Sequence, residues 1–208
     1  MTKVFADDEE VVFQEGTPKN PAEVFELLMN AFAQRRRALT SFEVDGADCL
    51  HNEEFPKSFL KITSTSLTHA EITMRLSIQL INQLSNFEKE ISAYQINLLI
   101  TPWSEVFKRT DEFITKIQPF ADLVDNIIPF AQSYEPSWSE KIYEVARLQA
   151  ESLNRILKSF EHSNPAGLSD ELVVNFLPVF QNAHGLFEKI VIPDLKNRIE
   201  EDSQFEGN

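Results

Sequence analysis

Residues 68–98, THAEITMRLSIQLINQLSNFEKEISAYQINL, decide the fold class of this 208-residue chain. Thr68 followed three residues later by Glu71 is a capping-box pattern, in which a hydroxyl and a carboxylate each satisfy a backbone amide at a helix start. Beyond it Ile72, Leu76, Leu80, Leu84, Phe87, Ile91, Tyr94 and Leu98 recur in steps of four and three, the spacing that lines one face of a helix. Thirty residues at 1.5 Å each make a helix of about 45 Å.

Three more helical patterns follow. Thr101-Pro102 opens a second helix carrying Val106, Phe107, Phe113, Ile114, Ile117, Phe120, Val124 and Ile127, with a kink or break expected near Pro119, which removes a backbone donor. After a loop through Ser133–Pro136, the stretch Ser137-Trp138-Ser139-Glu140 reads as a further capping box, leading to a face of Ile142, Val145, Leu153, Ile156 and Phe160. Ser163–Gly167 reads as a loop by composition. The last helix is expected to begin near Ser169 and to carry Val173, Phe176, Leu177, Phe180, Ala183, Phe187, Ile190, Val191 and Leu195, with Pro178 and Pro193 bending or ending it. Short connections make neighbouring helices antiparallel, so residues 67–200 predict an up-down four-helix bundle, and residues 201–208 an acidic, mobile tail.

Upstream of the quoted stretch the pattern is different. Val11-Val12-Phe13, bounded by acidic residues and Gly16, reads as a strand. Asn20-Pro21-Ala22-Glu23 supplies an N-cap, a first-turn proline and a glutamate three residues on, followed by the stripe Phe25, Leu28, Phe32, Leu39 and Phe42. Alternation at Phe42 and Val44 before the turn signal Asp45-Gly46, and Leu60 and Ile62 in a β-branched context, read as two more strands. Residues 1–66 therefore predict a small α+β unit of order strand, helix, strand, strand, giving a mainly α chain that is α+β overall.

Composition narrows the partner classes. With 33 acidic against 19 basic residues the formal charge is −14, which repels phosphate backbones and anionic lipid alike. Nucleic acid and membrane are not expected as partners. Arg35-Arg36-Arg37 is the basic exception, but adjacent residues on a helix point in different directions. One cysteine, Cys49, leaves no internal disulfide, the amino terminus carries no basic-then-apolar leader, and no stretch nears the ~18 apolar residues of a membrane span. A cytoplasmic protein is expected.

Local traces of chemistry are sparse. His51, His69, His162 and His184 are far apart, and none completes a Glu-x-x-His pair, so no metal is expected. The five glycines form no phosphate-cradling loop, and no nucleophile elbow is present, so no cofactor and no catalytic residues are assigned. The acidic groups Asp7–Glu10, Glu53-Glu54 and Glu200–Asp202 read as solvated charge.

Trp103 and Trp138 stand at helix starts. They either close the bundle's ends or, with Phe176, Phe180 and Phe187 of the last helix, offer a surface to a protein partner. The first functional expectation is thus a non-enzymatic binding, adaptor or chaperone-like protein, using an interhelical groove or the broad face of the last helix. Two alternatives stand beside it: an enzyme with a cleft between the N-terminal unit and the bundle, drawing on Arg36, His51 and Glu54, and a structural homodimer.

Overall fold

The computed structural model describes residues 2–14, 16–52, 54–108 and 110–206. By its contacts the chain forms two compact units, Met1–Ile72 and Thr73–Asn208.

The first unit is a five-stranded sheet with one helix. A hairpin of β1 (Lys3–Ala6) and β2 (Glu9–Glu10) leads to α1 (Pro21–Gln34), then to β3 (Arg37–Val44), β4 (Ala47–Asp48) and β5 (Lys61–Thr68). Strand order is β2-β1-β5-β3-β4, with β1 parallel and β3 antiparallel to β5. Both hairpins turn on two residues with positive φ, Asp7 (48°) and Asp8 (68°) in one, Asp45 (53°) and Gly46 (84°) in the other, the mirror-image geometry that matches strand twist. The Asp45 carboxylate accepts from the amides of Leu60 and Lys61 at 2.9 and 2.7 Å, fastening its turn to the start of β5.

One sheet face is apolar. Val4, Phe42, Val44 and Ile62 meet Val24, Leu28 and Phe32 of α1 in a single buried cluster, and Phe25 packs edge-on against Phe42. Asn20 caps α1 as its sequence predicts, accepting from the Ala22 amide at 3.0 Å ahead of Pro21.

The long elements keep the expected order strand, helix, strand, strand, but three boundaries move. Val11–Phe13 is not a strand, and Val12 is 89% exposed. The strand lies upstream at Lys3–Ala6, because Asp7-Asp8 turns the chain back within the acidic run expected to bound the strand. Leu39 and Phe42 belong to β3, not to the helical stripe. The arginine triplet does not lie along a helix either: Arg35 is the C-cap of α1, Arg36 has φ 56° and reverses the chain, and Arg37 opens β3. There Arg37 donates to Ser66 Oγ at 2.8 Å, while Asp7 accepts from the same hydroxyl at 2.7 Å.

The capping box at Thr68 forms in both directions, with the Thr68 amide donating to Glu71 Oε2 at 2.7 Å and the Glu71 amide to Thr68 Oγ1 at 3.1 Å. It starts α2 (His69–Leu98), which carries the chain into the second unit. That unit continues with α3 (Trp103–Lys108), α4 (Thr110–Tyr134), α5 (Ser139–Glu161), α6 (Pro165–Asp170), α7 (Leu177–Leu186) and α8 (Ile192–Glu206). Two π-helical segments, Glu171–Phe176 and Phe187–Val191, join α6 to α7 and α7 to α8.

Side-chain pairs fix the bundle topology. Along α2, Glu90 and Tyr94 meet Lys116 and Phe113 of α4, so these helices are antiparallel. Phe130 of α4 stacks on Trp138 just before α5, while Phe113 and Ile117 share a hollow with Phe160 and Ile156. Ser152 of α5 reaches Glu171 and Trp138 reaches Asp194, making α5 antiparallel to the final run. Gln95 meets Ser169 and Phe87 meets Phe180, closing the ring back to α2. The expected up-down four-helix bundle results, with α6 to α8 as one interrupted column.

That last column explains its own interruptions. Leu168, Leu172, Phe176, Phe180, Phe187, Val191 and Leu195 are all buried, mostly at steps of four. At about 100° per residue a pure α-helix would carry Leu195 about 100° off the face of Phe176, and one extra residue per π turn cancels that drift. The widened turns are explicit: Leu177 N–H donates to Leu172 O and Ile192 N–H to Phe187 O, each five residues back. Neither Pro178 nor Pro193 ends the run, since each lies in the first two residues after a π turn.

Other sequence expectations shift. Only Ser163 and Asn164 of the expected loop Ser163–Gly167 lie between helices: Asn164 accepts from the Gly167 amide at 2.9 Å and Pro165 opens α6. Ser137 forms no capping box, because α5 begins only at Ser139, whose hydroxyl donates to Pro136 O at 2.7 Å. α4 continues through Pro119 and Pro129. Helix α8 runs on through Glu200–Asp202 to Glu206, where a mobile tail was expected.

Candidate functional site

Four of the five residues considered as a possible partner surface are core residues. Trp138, Phe176, Phe180 and Phe187 are fully buried inside the bundle. Phe180 stands at its centre, 4.4 Å from the Phe120 ring, 4.7 Å from Phe176 and 5.7 Å from Phe87. The broad apolar face of the last column is core, since it is the fourth wall of a four-walled interior. Trp103 is half-buried and packs its ring 5.8 Å from Phe160.

Apolar surface is left open elsewhere. Along α4, Phe113, Ile117, Phe120, Val124 and Ile127 point inward and are buried, while Ile114, Gln118 and Ala121 form a second line one step round the helix. On α5, Ile156 and Phe160 are buried and Leu153 and Leu157 form the corresponding outer line. The two outer lines face each other across a groove of about 630 Å³ open to solvent, with Ala121 in its lining. Ile114 is 38% and Leu157 44% exposed at its lips. Gln118 is the single polar residue of the lining, and its amide donates to Asp122 Oδ1 at 3.4 Å.

A smaller hollow of about 370 Å³ between α2 and α4 is crossed by the ion pair of Lys116 and Glu90 at 3.2 Å. A wider, shallow one of about 920 Å³ runs past Glu135, Glu140 and Tyr143 at the α4–α5 turn. A second apolar patch lies where α2 ends, with Ile96, Leu99, Ile100 and Phe107 each more than half exposed.

Charged groups inside the bundle are built for structure. Glu171 is buried at the start of the first π turn, where it accepts from Ser152 Oγ at 2.9 Å, Arg155 Nε at 2.7 Å and Asn175 Nδ2 at 2.8 Å. A carboxylate with three donors is compensated, which is what burial demands. On the outer surface of α5 the Arg147 guanidinium hydrogen-bonds Glu144 and Glu151, and the bond from Arg147 holds the Glu144 carboxyl below its ordinary value.

Arg36, His51 and Glu54, the residues considered for a catalytic cleft, are all exposed, and no hydrogen bond or ion pair joins any two of them. Glu53 lies outside the described residues. Among the described residues no group of three His, Cys, Asp or Glu side chains could hold a metal ion, and no helix is long and apolar enough to cross a membrane.

The groove escaped sequence reading because its outer lines merge with the core stripes one residue away: Phe113-Ile114 and Ile156-Leu157 each put one side chain inside and one at the lip. Compared with protein-family models, curated proteins and solved structures, the chain matches none of them.

Proposed function

We propose that this chain is a non-enzymatic protein-binding protein whose helical unit docks a partner in the groove between α4 and α5. The observation that supports this reading is the lining itself: eight of its nine residues are apolar, and two of them, Ile114 and Leu157, stand exposed at opposite lips. Desolvating such a hollow with apolar side chains is favourable by about 25 cal/mol per Å² of apolar surface removed from water. The lining carries no titratable side chain, so it offers binding and no acid or base.

The test is site-specific photocrosslinking in the host cell. A photoreactive residue at position 114 or 157 is expected to give a defined protein adduct, while one at Gln181, exposed on α7, gives none. Equal adducts at all three positions, or none at 114 and 157, would refute the groove.

A homodimer has one observation in its favour, the exposed Ile96, Leu99, Ile100 and Phe107. The sheet is a poor alternative interface, because its edge strands β2 and β4 are two residues long and short edges offer little backbone to pair. Light scattering on the parent and on an Ile96→Glu/Ile100→Glu variant tests it: a parent dimer that becomes a monomer supports this second reading, and a monomeric parent removes it.

A further inference from the structure

We infer that the occupant of the α4–α5 groove is an amphipathic helix with a basic flank; this rests on the groove being the docking site. The shape of the lining comes first. It spans Phe113 to Ala121 on one side and Leu153 to Phe160 on the other, eight and seven residues apart and so about 10–12 Å or two helical turns long. That length takes the apolar side chains of a helix at i, i+3 or i+4, and i+7. An extended peptide would instead bring backbone amides into a hollow whose one polar residue, Gln118, is already engaged with Asp122. A helix satisfies those amides internally, so it enters an apolar groove without that desolvation penalty.

Charge identifies the flank. The exposed lip of α4 reads Asp111, Ile114, Gln118, Asp122, Asp125, a continuous line at steps of three and four. Carboxylates bracket the apolar lip at both ends, all three are exposed, and among the described residues none has a cation within 4.0 Å. Along α5 the matching line is Asn154, Leu157, Glu161, adding a fourth carboxylate. Of the two cations beside this line in sequence, Lys158 lies about 100° further round the helix and Arg155 is held by Glu171 at 2.7 Å, while Arg147 is held by Glu144 and Glu151. An acidic frame with no paired cation among the described residues, set around an apolar floor, complements Lys or Arg placed beside an apolar stripe, and it selects against acidic helices.

A displayed library tests this on the full chain. Helices of about four turns carry a fixed leucine stripe with flanks randomised among Lys, Gln and Glu, and are counter-selected against the Ile114→Glu/Leu157→Glu variant. Survivors are expected to carry Lys on their flanks and to lose about tenfold or more in affinity for an Asp111→Asn/Asp122→Asn/Asp125→Asn variant. Survivors with Gln or Glu flanks would leave the groove standing and overturn the basic partner. Lys helices that bind the counter-selection variant equally well adhere to bulk negative charge, and no survivors at all would sink both readings. Ile114→Gln/Leu157→Gln, with its melting temperature checked against the parent, replaces the glutamate pair should that pair unfold the bundle.

Discussion

Trp138 donates its indole N–H to Asp194 Oδ2 at 3.0 Å while its rings are fully buried, and the same oxygen accepts from Arg198 Nε at 2.8 Å. The start of α5 is thereby tied to the first turn of α8, across the end of the bundle. A residue that could have been a docking anchor is a structural one. Trp138→Phe keeps most of the buried ring and loses the bond to a charged acceptor, so it should cost about 1.5–3 kcal/mol in urea unfolding. Trp138→Ala should cost about 3–5 kcal/mol. A Phe variant as stable as the parent would mean that the Asp194 bond contributes nothing.

Core and groove should separate cleanly by mutation. Phe180→Ala empties the centre of the bundle and is expected to cost about 3–5 kcal/mol. At the lips, Ile114→Ala and Leu157→Ala should each cost under about 1 kcal/mol, since both side chains are more than a third exposed. Equal losses at all three positions, measured by chemical denaturation, would mean that the groove is filled by the protein's own packing.

The Glu171 cluster predicts an asymmetry. Its carboxylate is 9% exposed and its partner Arg155 45%. Arg155→Leu leaves a buried charge with two donors and should cost about 1.5–3 kcal/mol. Glu171→Gln frees a guanidinium that can turn to water and keeps an acceptor for Ser152, so it should cost less. The reverse order in paired melts would show that Arg155 is not needed to bury the charge.

Acid sensitivity follows from Glu144. Its carboxyl lies below the ordinary value of 4.5, first because of the hydrogen bond from Arg147 and then because of that group's charge. A carboxyl lowered in the folded state contributes stability above its unfolded value and loses it as pH falls through the lowered one. Arg147→Gln should therefore lower the melting temperature at neutral pH, with the gap to the parent closing in acid and in high salt, because the pair is exposed. A gap that is constant from neutral pH to well below 4.5 would contradict this.

Much of the fold was legible in residue order, and the failures have physical causes. Asn20-Pro21 and Asn164-Pro165 carry the same cap-and-proline signature and both start helices, yet the second was hidden by Gly167 and the neighbouring loop-forming residues. The succession Phe187, Val191, Leu195 advances by four, which an α-helix of 3.6 residues per turn cannot hold on one face. Ile72, Leu76, Leu80 and Leu84 also advance by four within the uninterrupted α2, so the pattern alone does not reveal the π turn.

Site residues were less legible than elements. Phe176, Phe180 and Phe187 lie on a face too apolar for a lone helix, and a single sequence does not tell whether the bundle or a partner covers it. The groove depends on which of two adjacent apolar residues, Phe113 or Ile114, Ile156 or Leu157, points inward. That choice follows from how α4 and α5 pack on each other, a relation between helices that periodicity within each cannot supply.

The most direct measurement is methyl NMR of the full chain titrated with an amphipathic Leu/Lys helix. The account predicts shift changes concentrated at Ile114, Ile117, Leu153, Ile156 and Leu157, all lining the groove. Changes confined to Ile96, Leu99 and Ile100, or spread over the sheet of the first unit, would contradict a docking site between α4 and α5.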